Sequence, residues 1–291
     1  MKVLKRSEIL IIDSNLEKGA SEWKESKAYA ENDECEFEKF IYKALKASTG
    51  IKPNADDKSW QKLRVSNEWA CFDYYLNTFS SAQGEIDLTF KAMSANAIYL
   101  NGVRAKRLII ECLDTSGAVI ESFEKGLFDE SVSSWSEYFF GDWVEKDKAH
   151  DIFYECKSLS RSRIFRVRAS GRDKVEIGSI IAGVAKSLAT TLYAKNSISM
   201  IDFSKVSTDE EGNTQLEKGN FKRTNAFELL VDENELDFVM SELANLRGEA
   251  CVFIIADNFE CLMNFAFLKN HELLLSKRGK SVISVEIEGL V

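Results

Sequence analysis

Residues 199–248 read SMIDFSKVSTDEEGNTQLEKGNFKRTNAFELLVDENELDFVMSELANLRG, and their hydrophobic period switches from that of a strand to that of a helix. Ile201 to Val206 and Phe221 to Val231 are β-prone runs joined by the polar, acidic segment Ser207 to Gly219, with Glu211, Gly212 and Asn213 at its tip. In the second run Phe227, Leu229 and Val231 take one face while Thr224 and Glu228 take the other, as in a half-buried strand. The two runs predict a long, projecting β-hairpin. Asp232 is placed to cap a following helix, with Glu235 three positions on as an acidic capping box. Leu236, Val239, Met240, Leu243 and Leu246 recur at helical spacing until Gly248 stops the run. The apolar run Cys251 to Ala256 predicts a buried strand.

Working outward, the chain stays β-patterned on both sides. Downstream, strands are expected at Leu262 to Leu268 and Glu272 to Leu275, and then through Ile283, Val285 and Ile287, which alternate with Ser284, Glu286 and Glu288. Upstream, Ile86, Leu88 and Phe90 alternate with Asp87 and Thr89. Leu108, Ile110 and Cys112 form a strand that turns at Asp114 to Gly117 and returns through Val119. Phe165, Val167 and Ala169 alternate with Arg166 and Arg168, so the basic run Arg161 to Arg172 reads as the exposed face of a strand. The small-residue segment Glu176 to Leu192 supplies the last strand of this region and the crossing into the next. Short strands separated by turns point to an antiparallel sandwich over residues 67–192, similar in layout to galactose-binding-like jelly rolls. Within it Trp135, Tyr138, Phe139, Phe140 and Trp143 lie close together, and either a sugar platform or core packing beside an ordered loop accounts for them.

Residues 21–66 differ in composition. Trp23, Tyr29, Phe37, Tyr42 and Trp60 punctuate a polar segment that holds the single proline, Pro53. So small a domain draws most of its buried area from a few aromatics. The order Trp23, Tyr29, Phe37, IYKAL, STGIKP, Trp60 resembles the chitin-binding type of carbohydrate-binding module, except that its usual Gly-Asp turn is Glu31 and Asn32 here. That resemblance implies Trp23, Tyr29 and Trp60 as stacking faces for sugar rings; the competing reading makes Trp23, Tyr42 and Trp60 a mini-core. Residues 1–20 form an arm with one short strand, Glu8 to Ile12, that must pair elsewhere because alone it buries nothing.

The composition of this 291-residue chain, 45% hydrophobic and 29% charged, is that of a globular protein of two or three domains. A net charge of -9 and a pI near 5.1 argue against a nucleic-acid groove, which needs clustered Lys and Arg. The apolar run Ile9 to Ile12 is too short for a signal-peptide core, and no stretch approaches the ~18 apolar residues of a membrane span. Folding in a cytoplasm is therefore expected. The six cysteines show no CxxC pairing and are expected to be buried, reduced thiols. The two histidines, His150 and His271, have no ligand-spaced partners and read as surface or interface residues. No nucleophile elbow, P-loop or dinucleotide fingerprint is present, and the acidic turn Asp209 to Asn213 lacks the alternating oxygen ligands and terminal Glu of an EF-hand calcium loop. No metal, cofactor or catalytic residue is expected, and the chain reads as a non-enzyme.

The order of parts carries a wider resemblance. A short arm, the aromatic module, NEWACFD at Asn67 to Asp73, the jelly-roll region, the stretch Ile201 to Asp232 and a terminal VEIEGL together resemble a family of tail proteins from tailed bacteriophages and prophages. The resemblance implies a homo-oligomeric structural component of the tail tip or baseplate, folded in the bacterial cytoplasm and then carried in the virion. Its partners would be other tail proteins, fibres or receptor-binding proteins. The assembly element is expected in the hairpin, at Ile201, Phe203, Glu211, Gly212, Asn213 and Phe221. The alternative is a free or virion-borne protein that binds host surface glycan through Trp23, Tyr29 and Trp60 or through Trp135 and Trp143. The expected fold is mainly β: a small aromatic module, a central antiparallel jelly-roll-like sandwich, and a hairpin and sheet over residues 193–291 with one packed α-helix.

Overall fold

A computed structural model of the chain describes all residues except 56, 128–134, 136–138, 140–148, 158–161, 209–211, 276–278 and 291. Among the described residues strands account for 61% and helices for 8%, so the protein is mainly β, a sandwich with one short helix. A nine-stranded antiparallel sheet organises the molecule. In spatial order its strands are His150–Glu155, Ala97–Val103, Ser179–Ser187, Lys2–Arg6, Ala250–Ile254, Met263–Leu274, Lys280–Gly289, Phe221–Asp232 and Thr190–Asp202. A second sheet of five strands runs Val119–Gly126, Arg107–Leu113, Ser162–Ile177, Ser80–Met93 and Ile9–Ser14.

The period-two pattern of each strand explains how these layers meet. Ile86, Leu88 and Phe90 join Leu108, Ile110, Phe165 and Val167 on the inner face of the five-stranded sheet. They pack on Ile98, Leu100, Ile152 and Ile180 from one end of the large sheet. The other end of that face is covered by the helix Leu236–Asn245, whose Val239 and Leu243, with Leu246 beyond its last turn, lie on Phe227, Leu229, Phe253 and Val285. The opposite face curls over Leu4, Tyr99, Ile181, Val252, Ile254 and Phe265. One sheet thus serves three cores.

The N-terminal segment is two strands, not one. Lys2–Arg6 lies between Ser179–Ser187 and Ala250–Ile254, with Leu4 opposite both Ala185 and Val252. It thereby joins strands from before and after position 192 into one sheet. Ile9–Ser14 pairs with Ser80–Met93 as an edge of the smaller sheet. Lys2–Arg6 and Ser179–Ser187 approach closely at Gly183, where a Cβ would run into the Lys5 carbonyl.

Three expectations need correction. Asp232 does not cap the helix through its side chain: it is still extended, paired with Lys280 in the sheet, and its carboxylate lies 3.5 Å from the Lys280 ammonium. A single 3-10 turn, Glu233–Glu235, precedes the helix instead. His150 is buried, its Nδ1 3.1 Å from Glu260, because the curl of the large sheet brings its edge strand onto the turn Glu260–Leu262. Arg163 lies on the inner face with Phe165 and Val167 and is buried, whereas Arg166 and Arg168 face outward and pair with Asp87 and Glu111.

Residues 21–66 form a three-stranded sheet, Glu34–Phe37, Phe40–Ala44 and Trp60–Val65, beside the short pair Ala28–Tyr29 and Ser48–Thr49. Tyr29, Cys35, Tyr42, Ala44 and Trp60 are its core, with Trp23 and Phe37 packed at the edge. Lys39 reaches out of the module to lie 4.1 Å above the Trp69 ring.

Candidate assembly site on the projecting hairpin

The hairpin arises where the large sheet runs out. Its last strand, Thr190–Asp202, bonds on one side to Phe221–Asp232, and among the described residues no strand covers its other edge. The ladder shifts register between Leu192 and Ser197 and continues to Asp202 opposite Phe221. Over this distal part Ile198, Met200, Ile201 and Phe221 are exposed, so the ribbon has left the core behind.

At Asp202 the ribbon bends. The Asp202 carboxylate accepts from the Ser204 hydroxyl at 2.6 Å and the Ser204 amide at 2.8 Å, which holds it below the usual carboxylate range. Gly219 donates its amide to the Ser204 hydroxyl, and Phe203 donates to the Asn220 carbonyl at 2.9 Å. A Cβ at Gly219 would meet the backbone of Phe203 and Ser204, so glycine permits the close crossing. Beyond this wrist a separate ladder, Lys205–Thr208 with Thr214–Glu217, carries Val206 opposite Leu216. Gly212 takes the left-handed conformation, φ +88°, as the turn requires.

The expected assembly residues fall along this arm. Ile201, Phe203 and Phe221 are exposed on its stem and wrist, with the Lys222 ammonium 5.6 Å from the Phe203 ring. Gly212 and Asn213 lie at the exposed turn, while Glu211 lies outside the described residues. Sequence patterning missed Met200, Val206 and Leu216, of which Val206 is 66% and Leu216 77% exposed. The available signal was the apolar end of the run Ile201 to Val206 and, within the polar, acidic connection, the isolated apolar Leu216. Exposed apolar side chains on a ribbon with a free hydrogen-bonding edge are suited to docking on another protein surface.

The aromatic candidates divide. Tyr29 and Trp60 are each 2% exposed and meet edge to face at 5.2 Å. The Tyr29 hydroxyl accepts from the Lys24 amide, and Trp60 Nε1 donates to the Ile51 carbonyl. Neither ring presents a face to solvent. Trp23 is half-buried and packs edge-on against Phe37 at 5.5 Å. Trp135 is 78% exposed and stacks on Phe139 at 6.0 Å, and Trp143 lies outside the described residues. Among the described residues no helix is long and apolar enough to cross a membrane, and no His, Cys, Asp or Glu cluster has metal-site geometry. Comparison with protein-family models, with characterised proteins and with solved structures finds no match to this chain.

Proposed function

We propose that this chain is a structural subunit that assembles in several copies through its hairpin arm, as a ring or adaptor at the tail tip or baseplate of a bacteriophage. The observation that carries the assembly reading is the exposed apolar ribbon Met200, Phe203, Val206, Leu216 and Phe221, displayed beyond the last covered strand of a large sheet. The occupant of that ribbon is a neighbouring copy of the chain: backbone groups on its free edge add to the neighbour's sheet, and the apolar side chains bury against it. The bacteriophage setting rests on the sequence resemblance, and it assigns the protein to the virion after folding in the host cytoplasm. Other tail proteins are the further partners, and no catalytic step is assigned.

Removal of Ser207 to Gly219 tests the reading. The shortened chain is expected to melt as the full one does yet to stay out of assembled particles; normal incorporation would overturn it. A second reading, recognition of host polysaccharide, is favoured by one observation, the exposed stack of Trp135 on Phe139. It predicts quenching of tryptophan fluorescence by surface polysaccharide that disappears in Trp135→Ala. An unchanged spectrum across a broad glycan panel would remove it.

A further inference from the structure

Two thiols meet inside the sandwich. Cys112 lies on the inner face of Arg107–Leu113 in the five-stranded sheet, and Cys156 follows the edge strand His150–Glu155 of the large sheet. Their Sγ atoms are 3.1 Å apart, so they are within about 1 Å of disulfide bonding distance. Both residues are buried, Cys112 completely, and Cys156 retains 6% exposure.

The surroundings are unlike those of an inert core cysteine. Glu121 stands directly opposite Cys112 on the neighbouring strand, and Arg163 reaches it from the strand on the other side. Arg163 is only 3% exposed, with Glu121 4.0 Å away. The opposite sheet contributes Tyr154, whose hydroxyl donates to Glu121 at 3.0 Å, beside Cys156 itself. A guanidinium held out of water beside a thiol favours the thiolate.

We propose that Cys112 and Cys156 are a redox-active dithiol that a peroxide oxidises to a disulfide tying the two sheets together. The thiolate sulfur attacks a peroxide oxygen and breaks the O–O bond, giving a sulfenic acid and hydroxide. The hydroxide takes the proton of the second thiol and becomes water. The second sulfur then attacks the sulfenic sulfur and expels hydroxide, which takes up the proton that the first thiol released on ionising and becomes the second water. Two electrons pass from the sulfurs to the peroxide, and the two thiol hydrogens leave in water. The hydrogen bond from Cys156 holds the Cys112 thiol below the ordinary thiol range against the opposing effects of burial and of Glu121, Arg163 adds to the lowering, and Cys156 is pushed up in turn. In a reducing cytoplasm the pair stays open; in oxidising surroundings it closes and staples the edge strand of the large sheet to the smaller one.

The test uses the unaltered full chain, so it depends on no variant folding. Purified protein is treated with hydrogen peroxide, unfolded, alkylated at its remaining thiols and mapped by mass spectrometry without reduction. The expected product is a peptide joining Cys112 to Cys156, lighter by two hydrogens. The melting temperature of the oxidised protein should rise by on the order of 10 °C and fall back on addition of dithiothreitol. Cys112→Ala should lose both effects. The rate of cross-linking should reach half its maximum below the ordinary thiol range of about 8.5, and Arg163→Met should move that midpoint upward. Recovery of Cys112 and Cys156 as alkylated thiols while the exposed Cys261 oxidises would overturn the proposal. So would accumulation of sulfinic acid at either sulfur without a cross-link.

Discussion

Val206 and Leu216 stand directly opposite each other across the tip ladder, on the same face, and both are exposed to solvent. An apolar cross-strand pair at the end of a ribbon that has left its core contributes little to folding. Replacing both by serine should therefore change unfolding free energy by no more than about 0.5 kcal/mol. The same double variant should weaken assembly into multi-copy particles by tenfold or more, on the order of 1.4 kcal/mol. Thermal melting and sedimentation of assembled material measure the two effects separately.

Gly183 tests the strand that holds the large sheet together. It pairs with Arg6, and a methyl group there would collide with the Lys5 carbonyl. Gly183→Ala is expected to cost about 3 kcal/mol, because the obstruction is backbone and must be relieved by separating Lys2–Arg6 from Ser179–Ser187. A lowered urea midpoint with an unchanged slope would register it.

Trp60 distinguishes core from ligand surface in the small module. Trp60→Ala should cost about 4 kcal/mol and unfold residues 21–66, seen as loss of near-ultraviolet dichroism. Trp60→Phe should be milder, losing chiefly the hydrogen bond to Ile51. A Trp60→Ala chain with native dichroism would show that the ring is dispensable for the module.

Glu176 gives a pH signature. Burial raises its carboxyl, but Lys174 and Arg104, each 2.6 Å away, more than offset this and hold it below the usual range. A carboxylate lowered on folding contributes stability above its unfolded value, about 4.3, and loses that contribution as pH falls through the lower folded value. Glu176→Gln should accordingly be less stable than the parent at pH 7, with the gap closing in acid. Denaturant melts at several pH values between neutral and acid check this; a gap that widens in acid would refute it.

Individual residues show how far the sequence could be read. Phe227, Leu229 and Val231 announced an inward face by alternation, and Val239, Leu243 and Leu246 a helix stripe; each lies where its period implied. Arg163 was legible in principle, since it shares the parity of Phe165 and Val167, but its charge argued for the surface and only the facing thiols and Glu121 explain its burial. In the hairpin, Ile201, Phe203 and Phe221 are expected in the assembly element and are exposed, and so are Val206, read only as the end of a strand, and Leu216, read only as part of the connection. The first strand of the hairpin begins at Thr190, earlier than Ile201, and a second ladder, Lys205–Thr208 with Thr214–Glu217, reaches into the connection.

By itself the sequence determined the local structure: strands, one helix, a small aromatic module and a long hairpin. Burial of one face against another imposes a period of two or of three to four on the residues, and that period is written locally. The tertiary structure alone decided which strands distant in sequence pair. It set Lys2–Arg6 between Ser179–Ser187 and Ala250–Ile254, brought Cys112 to Cys156, and left Val206 and Leu216 uncovered. These relations join residues far apart along the chain, where alternation records only that a face is buried and not what buries it.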